Sequence, residues 1–313
     1  MKLGFLYGGQ GSQTVGMGRE FYAQEPLFRQ VYDHAPVDFD LRRLCLEGPE
    51  EELTRTRYTQ CCLLAYQIGM TKLLARRGIV PQAAAGLSLG EYGALYGAQV
   101  LSEEEAFATV ALRGRAMEAA ADGLNCGMTA VLGLEREPLE EACRRASVLG
   151  VVEICNDNCP GQLVISGEQE AVTAAGNYAL ELGAKRCMPL KVSGPFHTSL
   201  MAPAGDALEA HFRQISFETP KFPVYFNCLG DTTAEVEKIP QLLVRQVQTG
   251  VRFADCIRAM VRDGVDVMVE IGPGKTLTGF VKKTAPQVRT YCIRSLEDLH
   301  TIAAALGGTN SEA

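Results

Sequence analysis

The sequence has no run of about 18 apolar residues of the kind that spans a bilayer. Its longest nearly uncharged stretch, Ile79 to Ser102, contains Glu91 and is punctuated by Pro, Gln, Gly and Ser. It also lacks an excess of positive charge: 30 Lys and Arg stand against 37 Asp and Glu, a formal net charge of −7. That balance excludes bulk nucleic-acid binding through a basic footprint, and leaves room for a local basic patch facing an acidic partner. Metal spacing is missing as well. Cys155 and Cys159 are separated by three residues and no second pair follows at a zinc spacing, so no metal is expected. Histidine is scarce, with four residues in the chain. No signal-peptide apolar region follows Met1 and Lys2, and the eleven cysteines are odd in number and irregularly spaced, with Cys61 and Cys62 adjacent. Both features lead to the expectation of free thiols in a reducing cytoplasm. Internal repeats and low-complexity segments are absent.

What is present fits a globular protein: 47% apolar and 21% charged residues in 313, a length close to two domains of about 150 residues each. The chain opens with a short strand, Leu3–Tyr7, that runs into the glycine loop Gly8–Gln13. Helical patterns follow at Gly18–Asp33 and Thr59–Arg77, the second ending at Gly78. An Ala-rich strand is expected at Gln82–Leu87, then a helix to Ala98. Ser102 with Glu105 three residues later has the form of a capping box that opens a helix to about Ala121. From Met128 to Val192 the order reads strand, helix, strand, strand, helix, strand, which is the split βαβ or ferredoxin-like unit. Beyond Ser193 the longer rhythm resumes, with helices near Leu200–Gln214, Pro240–Val247 and Ala254–Asp263. Val265–Ile271 is a near-continuous apolar run of the type buried in parallel sheets. The expectation is an α/β fold in which a doubly wound large domain (1–125 and 193–313) carries a small α+β insertion (126–192).

Gly86-Leu87-Ser88-Leu89-Gly90 is a G-x-S-x-G set between an expected strand and an expected helix, the context of a nucleophile elbow. Flanking glycines permit a sharp turn, and the helix N-terminus favours developing negative charge. The competing reading is an ordinary glycine-rich turn. A serine nucleophile needs a base. His34, His211 and His300 have helical or charged surroundings, whereas His197 lies in the loop Ser193-Gly194-Pro195-Phe196-His197 at the return from the insertion, where catalytic groups are commonly presented. The glycine loop fails as a dinucleotide fingerprint, because Thr14 stands where a third glycine is required. Gly272-Pro273-Gly274-Lys275-Thr276 fails as a phosphate loop, because Val269 stands at its first glycine. The surviving reading of the first loop is a backbone donor near Gln10 that shares an oxyanion hole with the N–H of Leu89. On the helix containing Ala106, Val110 and Met117, Arg113 falls on the apolar flank. A cation there requires an anion, either in a structural salt bridge or as a bidentate fork for a substrate carboxylate.

These stretches together resemble the malonyl-CoA:acyl carrier protein transacylases: GGQGSQTVGMG at Gly8–Gly18, GLSLGEY at Gly86–Tyr92, LRGRAM around Arg113, NDNCPGQLVISG at Asn156–Gly167, GPFH at Gly194–His197 and EIGPGKTLTGF at Glu270–Phe280. The resemblance implies an α/β-hydrolase-like domain with a ferredoxin-like insertion. It implies transfer of malonyl from malonyl-CoA to the phosphopantetheine thiol of acyl carrier protein through a malonyl-Ser88 intermediate, with no metal or resident cofactor. Position by position, it implies Ser88 as nucleophile, His197 as base, the Gln10 and Leu89 backbone as oxyanion donors, and Arg113 as the carboxylate grip. The backbone carbonyl of Gln246 would orient His197, and the bulk of Phe196 would disfavour an α-branched acyl group. Two departures stand out: Leu87 occupies a place where many members have His, and Gly250 one where Pro is frequent. An acidic carrier protein would meet Lys185, Arg186, Lys191, Lys282 and Lys283. A cytoplasmic monomer binding neither nucleic acid nor membrane is expected. The alternatives are an editing acyl hydrolase on the same scaffold, a malonyl-transfer subunit of a decarboxylase system, and a non-catalytic carrier-binding module.

Overall fold

The computed structural model describes residues 1–190 and 194–308. The expected boundary at 192/193, and Lys191, lie outside the described residues. Two sheets carry the architecture. The first is six-stranded and contains β1 (Leu3–Tyr7), β2 (Ala83–Gly86), β7 (Val224–Phe226), β8 (Asp231–Thr232), β10 (Val267–Ile271) and β11 (Arg289–Cys292), in the order β11-β10-β1-β2-β7-β8. All its pairings are parallel except that of β8 with β7. All residues of β1, β2 and β10 are buried, as befits parallel strands covered on both faces. Glu270 is the one charge in β10, and its carboxylate accepts the N–H groups of Leu277 and Thr278 at 3.1 and 2.7 Å. It thereby satisfies orphan donors at the start of the Thr276–Thr284 helix.

The second sheet contains β3 (Cys126–Leu132), β4 (Val152–Cys159), β5 (Gln162–Glu168), β6 (Arg186–Leu190) and β9 (Val251–Arg252), in the order β6-β3-β5-β4-β9. Its first four strands are antiparallel neighbours, with the Arg136–Ala146 and Gln169–Glu181 helices between them in sequence. This is the ferredoxin-like order. The short strand β9 comes from far along the chain and pairs parallel with β4 at Asn156 and Asp157, so the second sheet borrows an edge from outside the 126–192 segment. One face of this sheet packs with its two helices in a separate core around Val131, Leu139, Ile165 and Val172. From the other face, Met128, Ala130, Cys155 and Val164 join the main core. The fold is therefore α/β with two sheet-centred layers, as expected.

Local differences from the sequence reading have physical causes. The helix expected over Gly18–Asp33 is two helices, Arg19–Gln24 and Pro26–His34, because Glu25 is extended (φ −113°, ψ 102°), the conformation preferred before proline. Two short helices, Leu41–Glu47 and Glu50–Leu53, were not anticipated; the first is capped by Asp40, which accepts from Arg43 N. The Ser102–Glu105 capping box is formed, and the helix it opens runs Glu103–Ala121. The Thr56–Arg76 helix is buried on most of its surface, which explains its weak amphipathic pattern.

Candidate active site

Tyr7 and Gly86 are register partners on the neighbouring strands β1 and β2. The loops that follow them, containing Gln10 and Ser88, therefore emerge side by side at the carboxyl ends of parallel strands, where open α/β sheets present ligands. Ser88 has φ 53°, in the left-handed region that a non-glycine residue rarely holds. The glycines on either side are required by approach distances. A Cβ on Gly86 would stand 1.9 Å from the carbonyl carbon of Gly90, and one on Gly90 would stand 2.1 Å from the carbonyl oxygen of Tyr7.

His197 also has a positive φ, 60°, and its ring is buried. Its Nδ1 lies 2.8 Å from the backbone oxygen of Gln246, and its Nε2 lies 2.7 Å from Ser88 Oγ. A carbonyl only accepts, so Nδ1 carries the proton and Nε2 is left as the acceptor for the Ser88 hydroxyl. Burial, then the Arg113 cation, push the His197 pKa down to about 4 against the Gln246 and Thr249 backbone bonds that raise it. The imidazole is thus neutral near pH 7 and able to take a proton.

Arg113 is completely buried. It donates from Nη1 to Gln60 Oε1 at 2.8 Å, and from Nη2 to Gln246 Oε1 at 3.0 Å and Ser88 Oγ at 3.1 Å. Its guanidinium carbon lies 5.4 Å from the Tyr92 ring centroid. Every one of these acceptors is uncharged, and no ion pair joins Arg113 to a carboxylate among the described residues. Burial lowers its pKa, while Tyr92 and Glu91 raise it. Glu91 supplies little counter-charge, because burial pushes its own pKa up to about 8. A buried cation held only by neutral dipoles is electrostatically unfinished and suited to receive an anion.

Gln10 lines the cleft beside Ser88, and its side chain donates to Thr56 Oγ1 at 3.1 Å. Leu89 is the N-cap of the Gly90–Gly97 helix, where backbone N–H groups have no carbonyl one turn earlier to bond. Phe196 is buried and lines the same cleft, whose volume is about 340 Å³. The opposite wall comes from the second sheet through Met128, Asn156, Asn158, Gln162 and Val164. Leu87 lines the cleft mouth and packs against the core cluster around Ala83, Tyr225 and Phe280. His211 is elsewhere, 2.9 Å from Thr109 Oγ1. The structure thus brings Ser88, His197, Arg113 and Gln246 into direct contact, with Gln10, Leu89 and Phe196 around them.

Three residues to which the sequence gives no site role belong to this cluster. Asn227 accepts from Ser88 N at 2.7 Å and donates to Gly86 O at 2.7 Å; Glu91 accepts from Asn227 N at 2.6 Å; Gln60 holds Arg113. Asn227 follows a parallel strand next to β2, so the strand-end rule pointed to it. Gln60, on a helix interior, carried no signal. The side chain of Gln246 also does more than its backbone role suggested: Oε1 accepts from Arg113 and Nε2 donates to Ser88 O at 2.7 Å. Among the described residues no cluster of three His, Cys, Asp or Glu is arranged to hold a metal, and no helix is long and apolar enough to cross a membrane.

The acyl transferase domain family matches residues 4–303. The chain is 38% identical over 315 aligned residues to the malonyl CoA-acyl carrier protein transacylase of Bacillus subtilis, with 100% of this chain and 99% of the relative covered. It is 37% identical to the enzyme of the same name from Escherichia coli, with 96% and 98% covered. Among solved structures, the MCAT of Streptococcus pneumoniae superposes with a TM-score of 0.93 at 44% identity, covering 97% of this chain and 100% of that one. A malonyl-transacylase solved in complex with its type II PKS acyl-carrier protein superposes with a TM-score of 0.95 at 36% identity, covering 97% and 100%.

Proposed function

The chain belongs to the acyl transferase family, and from that premise we propose that it moves malonyl from malonyl-CoA to the phosphopantetheine thiol of acyl carrier protein through a malonyl-Ser88 ester. The observation that carries this reading is the buried, carboxylate-free Arg113 guanidinium 3.1 Å from Ser88 Oγ. His197 Nε2 takes the Ser88 proton as Oγ attacks the thioester carbon. Charge gathers on the carbonyl oxygen, where the N–H groups of Gln10 and Leu89 receive it. As the tetrahedral intermediate collapses, the C–S bond breaks and the leaving thiolate takes the proton from His197. The carrier thiol then gives its proton to His197, attacks the ester, and returns Ser88 to its hydroxyl form. This is ping-pong transfer and draws on no resident cofactor.

Arg113 pairs with the free carboxylate of the malonyl group, and the neutral oxygens of Gln60 and Gln246 hold the guanidinium beside Ser88 Oγ. An acetyl group would leave that cation without its anion, a penalty larger than any lost contact area. Phe196 narrows the cleft beside the α-carbon. For the carrier, Lys185 and Arg186 on the second sheet and Lys282 and Lys283 on the first-sheet side are all exposed, and none is in an ion pair among the described residues. They suit an acidic partner, and the protein acts as a cytoplasmic monomer with residues 126–192 as its small subdomain.

The test is incubation with malonyl-CoA followed by intact mass measurement, with and without a phosphopantetheinylated carrier. A malonyl adduct that appears on the wild type, is absent in Ser88→Ala and is discharged by carrier supports transfer. Discharge to water at the same rate without carrier would overturn transfer in favour of hydrolysis.

A further inference from the structure

Ser88 is held in a backbone conformation that persists in a non-glycine residue only where its surroundings over-determine it. Gln246 Nε2 holds the Ser88 carbonyl at 2.7 Å, and a second side chain ties the turn together. Asn227, fully buried just beyond β7, accepts the Ser88 N–H on Oδ1 and donates from Nδ2 to the carbonyl of Gly86, both at 2.7 Å. Its single carboxamide therefore bridges the two ends of the turn, with one bond on either side of Leu87. The Asn227 backbone is engaged too: its N–H donates to Glu91 Oε2 at 2.6 Å, and its carbonyl accepts from Arg252 N at 2.9 Å. Glu91 lies in the first turn of the helix that starts after Ser88, so the loop closes from Ser88 to Asn227 to Glu91 and back along the helix.

We propose that Asn227, backed by the Glu91 carboxyl, is a positioning clamp that sets the direction of Ser88 Oγ between His197 and Arg113. This rests on the reading of Ser88 as nucleophile. The clamp touches no reacting atom; it acts by fixing the turn from behind. Glu91 is fully buried with Oε1 unpartnered, a setting that favours the uncharged acid. Burial raises it accordingly to about 8, against the Asn227 N–H and the nearby Arg113 cation. A glutamine at this position keeps both the shape and the acceptor that Asn227 uses, whereas leucine removes the acceptor and strands a buried donor.

The experiment measures the rate constant for acylation by malonyl-CoA, by rapid quench and intact mass, alongside thermal unfolding. Asn227→Leu keeps the volume and removes both the acceptor for Ser88 N–H and the donor to Gly86. Its saturating acylation rate is expected to fall about 10²-fold, since a misplaced reacting group costs that much, while the half-saturating malonyl-CoA concentration moves less than about twofold. Glu91→Leu is expected to lose about tenfold in rate and Glu91→Gln to stay within about threefold of wild type. A wild-type rate in Asn227→Leu, or a loss carried by half-saturation alone, overturns the clamp. Should that variant not fold, equal rates in Glu91→Leu and Glu91→Gln overturn it. A malonyl adduct that survives Ser88→Ala overturns the nucleophile reading instead, so the two failures are distinguishable.

Discussion

The cleft has two walls built on different principles. The wall from the parallel sheet is made of turns. Ser88 and the Gly8–Gln13 loop leave adjacent strands; the Ser88 backbone is fixed by the neutral carboxamides of Asn227 and Gln246, and that of Gln60 holds Arg113. The glycines there meet backbone atoms at distances no Cβ allows. The wall from the antiparallel sheet is made of strand surface. It presents Met128, Asn156, Asn158, Gln162 and Val164, and β4 shifts register twice as it passes, between Ile154 and Asn156 and between Asp157 and Cys159. The difference is one of tolerance. The first wall stores strain and charge at fixed atoms, where small displacements are expensive. The second supplies shape and carboxamides along bulged strands, which accommodate change. On the proposed function, chemistry belongs to the first wall and the grip on the rest of the substrate to both.

The largest expected effect is on the first wall. Ser88→Ala should lower acylation by about 10⁴-fold or more, as removal of a nucleophile does when the rest of the site remains. A residual rate within tenfold of wild type, measured by intact mass, would place the nucleophile elsewhere and dissolve the contrast between the walls. Next in size is Arg113→Ala. Losing one partner of a buried charge pair should cost about 10³-fold in kcat/KM for malonyl-CoA, with acetyl-CoA affected far less. Competition between the two thioesters reads this directly. An unchanged preference would reduce Arg113 to a structural cation.

Much of this was legible from the chain. Buried parallel strands announced themselves at Leu3–Tyr7 and Val265–Ile271 as apolar runs, and the β-α-β-β-α-β order of the second sheet was readable because its helices are amphipathic on one side only. Ser88 was legible from its G-x-S-x-G turn, and His197 as its partner from the scarcity of histidine and the loop at the return from the insertion. Where reading stopped, the physics was long-range. The β9 strand is two residues long and exists only because β4 offers an edge. Arg113 was placed on an apolar flank, but its choice between salt bridge and substrate fork depended on which groups the fold brings near it. Those are carboxamides from two distant segments, at positions 60 and 246, and no periodicity in a single chain encodes their meeting.

The state of His197 sharpens the same contrast through pH. A protonated imidazole cannot accept the Ser88 proton. Because burial lowers the folded pKa to about 4, the base form persists well below the ordinary value near 6.5. At roughly pH 4.5 about 10² times more base should remain than with an unperturbed imidazole, so the acylation rate should stay flat from neutral pH to about 5. The linkage carries a definite sign. The unfolded chain binds this proton near 6.5 and the folded chain only near 4, so the contribution of neutral His197 to stability is complete above about 6.5 and is lost as pH falls toward 4. A rate profile with a midpoint near 6.5 would show that the first wall admits water and is less sealed than its hydrogen bonds imply.

The smallest effect tests the second wall. Asn156 lines the cleft from the bulged part of β4, beside the register shift and opposite β9. Asn156→Ala removes polar contacts without touching Ser88, His197 or Arg113, so the half-saturating malonyl-CoA concentration should rise about five- to tenfold, the worth of one hydrogen bond, while the saturating acylation rate holds. If the rate fell instead and half-saturation held, the carboxamides of the antiparallel sheet would be acting on the transition state, and the division of labour between the walls would fail at the place where the second sheet comes nearest to the chemistry.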